Sequence, residues 1–225
     1  MSRPVALVTG ASRGIGRAIA TALSPTHHVL VGGRDPDRIA EVVATLESAE
    51  PFAAELTDEA AIAAAVAGIE RLDVLVHSAG LVAFGPLAET TTAEWREVME
   101  LNVIAPATLT RLLLPALRAA HGLVVFINSG AGLTTHRGFS VYSASKYALT
   151  ALADALRLDE RGRLRVTTIH PGRVATDMQA QLSSLQGMPY VPDAHLDPVD
   201  VARAVRMAVD LPSDTSLDAV RINPV

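Results

Sequence analysis

The sequence predicts an α/β fold, a doubly wound parallel sheet of about seven strands in the order 3-2-1-4-5-6-7 with helices on both faces. Three observations predict it. Short runs such as Val5-Ala6-Leu7-Val8-Thr9 and Val74-Leu75-Val76-His77 are nearly continuously apolar, the pattern of strands buried on both faces. Segments of helical periodicity alternate with them from start to finish. The first strand runs straight into a glycine-rich turn and a helix. Right-handed crossovers then set the strand order and open a crevice at the carboxyl ends of strands one and four. Ligand groups are expected just after the strands.

In chain order, strand one is Val5–Thr9. Apolar positions at Ile15, Ala18, Ile19, Ala22 and Leu23 give a helix over Gly14–Leu23. Strand two is Val29–Gly33. Asp35-Pro36 marks a helix start, and that helix is expected to reach Glu47. Phe52–Ala54 is strand three, Asp58–Ile69 an alanine-rich helix, and Val74–His77 strand four. Thr91-Thr92 opens a long helix, Ala93–Arg118, which Pro106 should bend or interrupt. Leu123–Ile127 is strand five, Val141–Arg161 a helix, and Leu164–Ile169 strand six. An irregular segment with Gly187, Pro189 and Pro192 follows Pro171-Gly172. Pro198–Val209 is a helix and Ala219–Ile222 the last strand.

The 225 residues show no linker, repeat or low-complexity tract, so residues 1–225 are expected to form one domain. Hydrophobic residues make up 49% and aromatics 4%, a composition suited to close helix–sheet packing. The net charge is −5 with scattered Lys and Arg, which speaks against nucleic acid as a partner. There is no cysteine, which excludes disulfides and thiolate chemistry. The first apolar run is too short for a signal-peptide core, and no run approaches the ~20 apolar residues of a membrane span. The expectation is a cytoplasmic protein without a membrane partner.

The turn after strand one reads Gly10-Ala11-Ser12-Arg13-Gly14-Ile15-Gly16. Glycines permit close approach of a ligand to the backbone, and the free N–H groups at the following helix start suit a pyrophosphate. The spacing is Gly-x-x-x-Gly-x-Gly, neither the Gly-x-Gly-x-x-Gly fingerprint nor a phosphate-binding loop ending in Gly-Lys-Ser/Thr. Its placement between a strand and a helix favours a dinucleotide. Arg34 follows strand two, where an acidic residue would accept from a ribose 2′-OH and favour NAD(H). Arg34 and Arg13 instead suit a 2′-phosphate, so NADP(H) is preferred and NAD(H) remains possible. Arg34 could simply pair with Asp35 or Asp37, and Asp35 could be the ribose ligand if the strand end lies one residue further on.

Tyr142 and Lys146 lie four residues apart and share a helix face. A phenol is almost fully protonated near pH 7, and a neighbouring cation favours its phenolate. The pair is therefore a candidate proton-transfer device, although many solvated helix faces carry the same spacing. The seven histidines, at 27, 28, 77, 121, 136, 170 and 195, have no metal-ligating spacing, and no metal is expected. His136 lies in a loop expected to border the pocket.

Taken together these motifs resemble the short-chain dehydrogenase/reductase family. Thr9-Gly-Ala-Ser-Arg-Gly-Ile-Gly16 is similar to its glycine motif and Ala79-Gly80 to the end of its Asn-Asn-Ala-Gly motif. Asn102 resembles its helix asparagine. Ser129 stands thirteen residues before Tyr142, the family's usual separation, and Pro171-Gly172 with Thr176 resembles the motif after strand six. The resemblance covers nearly the whole chain and implies a Rossmann-type oxidoreductase interconverting a carbonyl and an alcohol by hydride transfer. It implies catalytic roles for Asn102, Ser129, Tyr142 and Lys146. Tyr142 would be the acid or base, Lys146 would tune it and bind the nicotinamide ribose, Ser129 would bond the substrate oxygen, and Asn102 would hold a relay water. Cofactor contacts are implied for Gly10, Ser12, Arg13, Gly14, Ile15, Gly16, Arg34, Glu55, Leu56, Ser78, Ala79, Gly80, Tyr142, Lys146, Pro171, Gly172, Val174 and Thr176.

Three departures from the family pattern stand out. His77-Ser78 replace its two asparagines, the first of which ties neighbouring strands. Glu55 replaces an aspartate that contacts adenine. The segment 173–197 is short, so the substrate lid should be small. Leu81, Val82, Phe84, Leu133, Phe139, Met178, Met188 and Tyr190 near the pocket mouth suggest a small apolar carbonyl or alcohol as substrate. The helices 93–118 and 141–161, with residual apolar surface at residues such as Leu109, Leu113 and Leu149, suggest a homodimer or homotetramer. An alternative of another class is an NAD(P)-binding sensor of the same fold without turnover.

Overall fold

The computed structural model describes residues 3–225. Seven parallel strands form one sheet in the order β3-β2-β1-β4-β5-β6-β7, as the alternation predicts. They are β1 (Val5–Val8), β2 (His28–Gly33), β3 (Ala49–Ala53), β4 (Val74–His77), β5 (Leu123–Ile127), β6 (Arg165–Pro171) and β7 (Ala219–Ile222). The helices are α1 (Gly14–Leu23), α2 (Pro36–Val43), α3 (Glu59–Val66), α4 (Thr92–Met99), α5 (Ala105–Ala120), α6 (Ser140–Asp159), α7 (Asp177–Leu185) and α8 (Pro198–Asp210).

The period-two geometry of a strand explains the two cores. On β1, Ala6 and Val8 face one layer with Ile19 and Leu23 of α1, Ile39 of α2 and Val205 of α8. Leu7 between them faces Ile62 of α3, Leu113 of α5 and Leu149 of α6. Both faces of the central strands are covered, which is why their sequences read as continuous apolar runs.

Four differences from the sequence reading have physical causes. Helix α2 stops at Val43 rather than Glu47, because Thr45 and Leu46 turn back onto Val42 and Val43 in tight i−3 bonds. The long helix is not one α-helix: Glu100–Ile104 is a π turn between α4 and α5. Pro106, which has no N–H to return to the preceding turn, is the second residue of α5, just after it. Pro115, not flagged by the sequence reading, sits inside α5. The segment expected to be irregular contains α7, capped by the Thr176 side chain and buried only at Ser183. Finally, Leu109, Leu113 and Leu149 are core residues, buried to within 2% of full enclosure. They present no surface to a partner; the exposed apolar residues of this region are Ile104, Tyr147 and Leu158. Thr92–Ala120 as a whole is long and apolar enough to cross a membrane by length and composition. Here its apolar stripe packs under the sheet.

Candidate active site

The carboxyl ends of β1, β4, β5 and β6 bring the motifs together. Gly10, with φ +63°, starts the turn after β1. A Cβ on Gly10 would lie 2.8 Å from the Cα of Ala79, and one on Gly16 would lie 2.3 Å from the Gly10 carbonyl oxygen. Neither position can carry a larger side chain without moving backbone. The start of α1 has no capping side chain and no acidic residue in its first turn, whereas Asp35, Asp58, Thr91, Thr176 and Asp197 cap α2, α3, α4, α7 and α8. Uncapped N–H groups beside a glycine cradle fit a pyrophosphate. Ser12 and Ile15 are half-buried in the same turn, Ile15 packing on the core.

The loop after β4 is tied to this turn by Thr9. Its hydroxyl accepts from the backbone N–H of Ser78 at 3.0 Å and of Ala79 at 3.2 Å, and donates to the Val76 carbonyl. His77 does not tie strands through a ring-nitrogen hydrogen bond. Its Nε2 shares a 2.8 Å hydrogen bond with Thr110 of α5, and its ring stacks on Phe126 of β5 at 4.9 Å. Full burial holds the imidazole neutral, pushing its pKa down to about 3.

Asn102 lies in the π turn and is buried. Its Oδ1 accepts from the Leu81 N–H at 2.8 Å, and its Nδ2 donates to the Leu81 carbonyl at 2.9 Å and to Ser145 Oγ at 3.0 Å. Ser145 in turn donates to the Tyr142 carbonyl. Gly80 fits between them, because a Cβ there would come within 3.1 Å of Asn102 Oδ1 and 3.8 Å of Lys146 Nζ.

Ser129 lies just after β5 and caps a short 3-10 turn, Gly130–Gly132. Tyr142 and Lys146 stand on the first turns of α6, with Lys146 Nζ 5.8 Å from the centre of the Tyr142 ring. Burial raises the phenol above its ordinary pKa, and a hydrogen bond from the Ser129 side chain pulls it back down. Lys146 is buried; its ammonium donates to the Ile127 carbonyl at 3.3 Å, and burial lowers its pKa to about 8. Phe139 packs against Tyr142 at 6.2 Å and edge-on against Phe84 at 5.2 Å, so the approach to the phenol is apolar. His136 is exposed at the rim.

The remaining expected contacts are placed as follows. Arg34 is exposed and 3.8 Å from Glu55, not paired with Asp35 or Asp37. Asp35 is occupied as the cap of α2. Glu55 also accepts from the backbone and hydroxyl of Thr57. Leu56 packs half-buried on the core beside β3. Arg34, Glu55 and Thr57 face Arg96, Glu97 and Glu100 of the α4–π turn segment across a cleft of about 370 Å³. Arg13 is 3.2 Å from Asp177 at the start of α7. Gly172 donates its N–H to the Ile222 carbonyl, Val174 is buried, and the Thr176 hydroxyl accepts from the Gln179 N–H. Another cleft, about 400 Å³ between α1 and α8, contains none of Ser129, Tyr142 or Lys146.

Sequence reasoning missed Thr9, Asn128, Ser145 and His170. Asn128 Nδ2 donates to the Lys146 carbonyl and to Thr150, locking β5 to α6. Only the position of Asn128 beside Ser129, and of His170 beside Pro171, could have signalled them.

Residues 4–187 match the short chain dehydrogenase family. The chain is 34% identical over 227 residues to an uncharacterized short-chain type dehydrogenase/reductase of Sinorhizobium fredii, covering 98% of this chain and 91% of that protein. It is 33% identical over 239 residues to the glycine betaine reductase of Emericella nidulans, of which it spans only 19% while being covered over its own full length. An alcohol dehydrogenase from the archaeon Thermococcus sibiricus, solved in complex with 5-hydroxy-NADP, superposes with a TM-score of 0.90 at 26% identity, over 100% of this chain and 97% of that one. The sheet order, the cradle after β1 and the extent of the match lead to one assignment: the chain belongs to the short-chain dehydrogenase family of oxidoreductases.

Proposed function

We propose that this chain interconverts a small, apolar carbonyl compound and its alcohol, using NADP(H) in preference to NAD(H). The observation that carries the reading is the convergence of Ser129, Tyr142 and Lys146 at one apolar mouth. A bound nicotinamide supplies or accepts the hydride. Tyr142 holds the proton at its hydroxyl, gives it to the carbonyl oxygen during reduction and takes it back during oxidation. The Ser129 hydroxyl donates to the same oxygen as negative charge grows there. Lys146 would bond the nicotinamide ribose and places its ammonium 5.8 Å from the centre of the phenol ring, while the Ser129 side chain offsets part of the burial that raises the Tyr142 pKa. Asn102 fixes the Gly80–Leu81 loop and lies in a π turn, a helix irregularity frequent at functional sites.

The NADP(H) preference rests on Arg34 and Arg13. Neither is buried in an ion pair, and both are exposed enough to turn toward a 2′-phosphate. The 5-hydroxy-NADP complex of the Thermococcus sibiricus enzyme supports the same side. Residues 173–197, with α7, form the small lid, and the exposed Ile104 and Tyr147 support self-association.

A panel of ketones, aldehydes, quinones and secondary alcohols followed by NADPH absorbance tests the proposal, together with Tyr142→Phe. The variant should lose about 10²- to 10⁴-fold in turnover while still binding NADPH. Wild-type rates from Tyr142→Phe would sink the assignment. Tight NADPH binding with no turnover across the panel would point instead to a sensor.

A further inference from the structure

His170 has no part in the chemistry above, yet it is buried, with 3% of its surface exposed, at the end of β6. Its place follows from how the β5–β6 ladder stops. The last backbone bond between these strands runs from the Asn128 N–H to the Ile169 carbonyl, at 2.8 Å. In a parallel ladder the next donor would be the N–H of residue 171. That residue is Pro171, which has none. β5 therefore leaves the sheet at Ser129 without a further backbone tie to β6. The His170 side chain supplies one: its Nδ1 lies 3.1 Å from the Ser129 carbonyl oxygen. A carbonyl only accepts, so Nδ1 carries the proton and the tautomer is set. The same carbonyl accepts the Gly132 N–H at 3.0 Å, closing the 3-10 turn. The Ser129 peptide is thus held from the turn ahead and from the strand beside it.

We infer that His170 is a positioning residue that aims the Ser129 hydroxyl at the substrate oxygen by anchoring the Ser129 carbonyl to β6. The inference rests on the role proposed for Ser129. The charged groups facing the ring are Lys146 and Asp154 of α6 and Arg221 of β7. Nδ1 donates whether the ring is neutral or protonated, so the anchor does not depend on pH.

Three substitutions separate anchoring from mere packing. His170→Leu removes the donor. His170→Asn keeps an N–H donor at the Nδ1 position, and His170→Gln moves it one bond further out. His170→Leu should lower kcat about tenfold, the scale expected for a lost hydrogen bond and a slightly misplaced group, with the NADPH Kd changed by less than about twofold. His170→Asn should stay within about threefold of wild type, while His170→Gln behaves like the leucine variant. Crystal structures of the Leu and Asn variants should show Ser129 displaced by more than about 0.5 Å only in the former. Wild-type kcat in His170→Leu, a loss in His170→Asn equal to that in His170→Leu, or an unmoved Ser129 overturns the inference. Should His170→Leu not fold, the Asn–Gln contrast in kcat and in Ser129 position decides. If the wild-type chain reduces nothing in the panel, the functional reading fails, and the displacement of Ser129 still decides the anchor.

Discussion

Replacing His77 by asparagine, the residue the family pattern has there, should change how this protein responds to acid. His77 is fully buried between α5 and β5, with its ring on Phe126 and Nε2 bonded to Thr110. Burial pushes its pKa from 6.5 down to about 3. In the unfolded chain the imidazole titrates near its ordinary value. Between those two pH values the unfolded state therefore binds one more proton than the native state, and stability falls as pH drops. The contribution is fully present above pH 6.5 and is lost progressively down to about pH 3. At pH 5, about 1.5 pH units below the unfolded value, about 1.36 kcal/mol per unit gives a loss of about 2 kcal/mol. His77→Asn lacks this titration. Losing the stack on Phe126 should make the variant less stable at pH 7.5, by about 1–3 kcal/mol. Its further loss between pH 7.5 and pH 5 should nevertheless be about 2 kcal/mol smaller than that of wild type. Urea unfolding of both proteins at the two pH values, followed by far-UV circular dichroism, measures the difference. His27 and His170, also lowered by burial, are present in both proteins and cancel. Acid losses equal to within about 0.5 kcal/mol would refute the reasoning.

Other perturbations test the site. Asn102→Ala removes the partners of the Leu81 N–H, the Leu81 carbonyl and Ser145 Oγ. It should cost about 2–4 kcal/mol in urea unfolding and weaken NADPH binding through the loosened Gly80–Leu81 loop; a loss under about 1 kcal/mol would contradict that account. Arg34→Asp should weaken NADPH binding by at least about tenfold and leave NADH binding nearly unchanged, and equal NADPH affinity would remove the argument for a 2′-phosphate contact. Asp177→Asn frees Arg13 from its exposed ion pair. Titration should then show NADPH bound about two- to threefold more tightly with no change for NADH.

Much of this molecule is legible along the chain. Strands buried on both faces must be apolar at nearly every position, so β4 and β5 stand out within their true bounds. Helix α1 is bounded by Gly14 and Leu23 because an amphipathic period begins at the glycine turn. Tyr142 and Lys146 could be paired because helical geometry is local. What resisted reading lacks a local period. Helix α7 buries only Ser183 and so carries no apolar stripe, and the Gly187, Pro189 and Pro192 that follow mask it. The π turn has no signature beyond Pro106. Leu109, Leu113 and Leu149 look alike as core or as interface until the sheet they cover is in place.

By itself, then, the sequence determined the strand alternation, the glycine turn, and which residues could hold a phosphate or move a proton. Those properties follow from side-chain chemistry and from the fixed periods of strand and helix. Only the tertiary structure decided how the parts are braced. Thr9 holds the loop after β4, Asn102 clamps Leu81, Asn128 locks Lys146 to β5, and His170 takes over where Pro171 ends the ladder. Each of these bonds joins residues at least 18 positions apart. A polar side chain carries no mark of which distant carbonyl it will meet until folding has brought the two together.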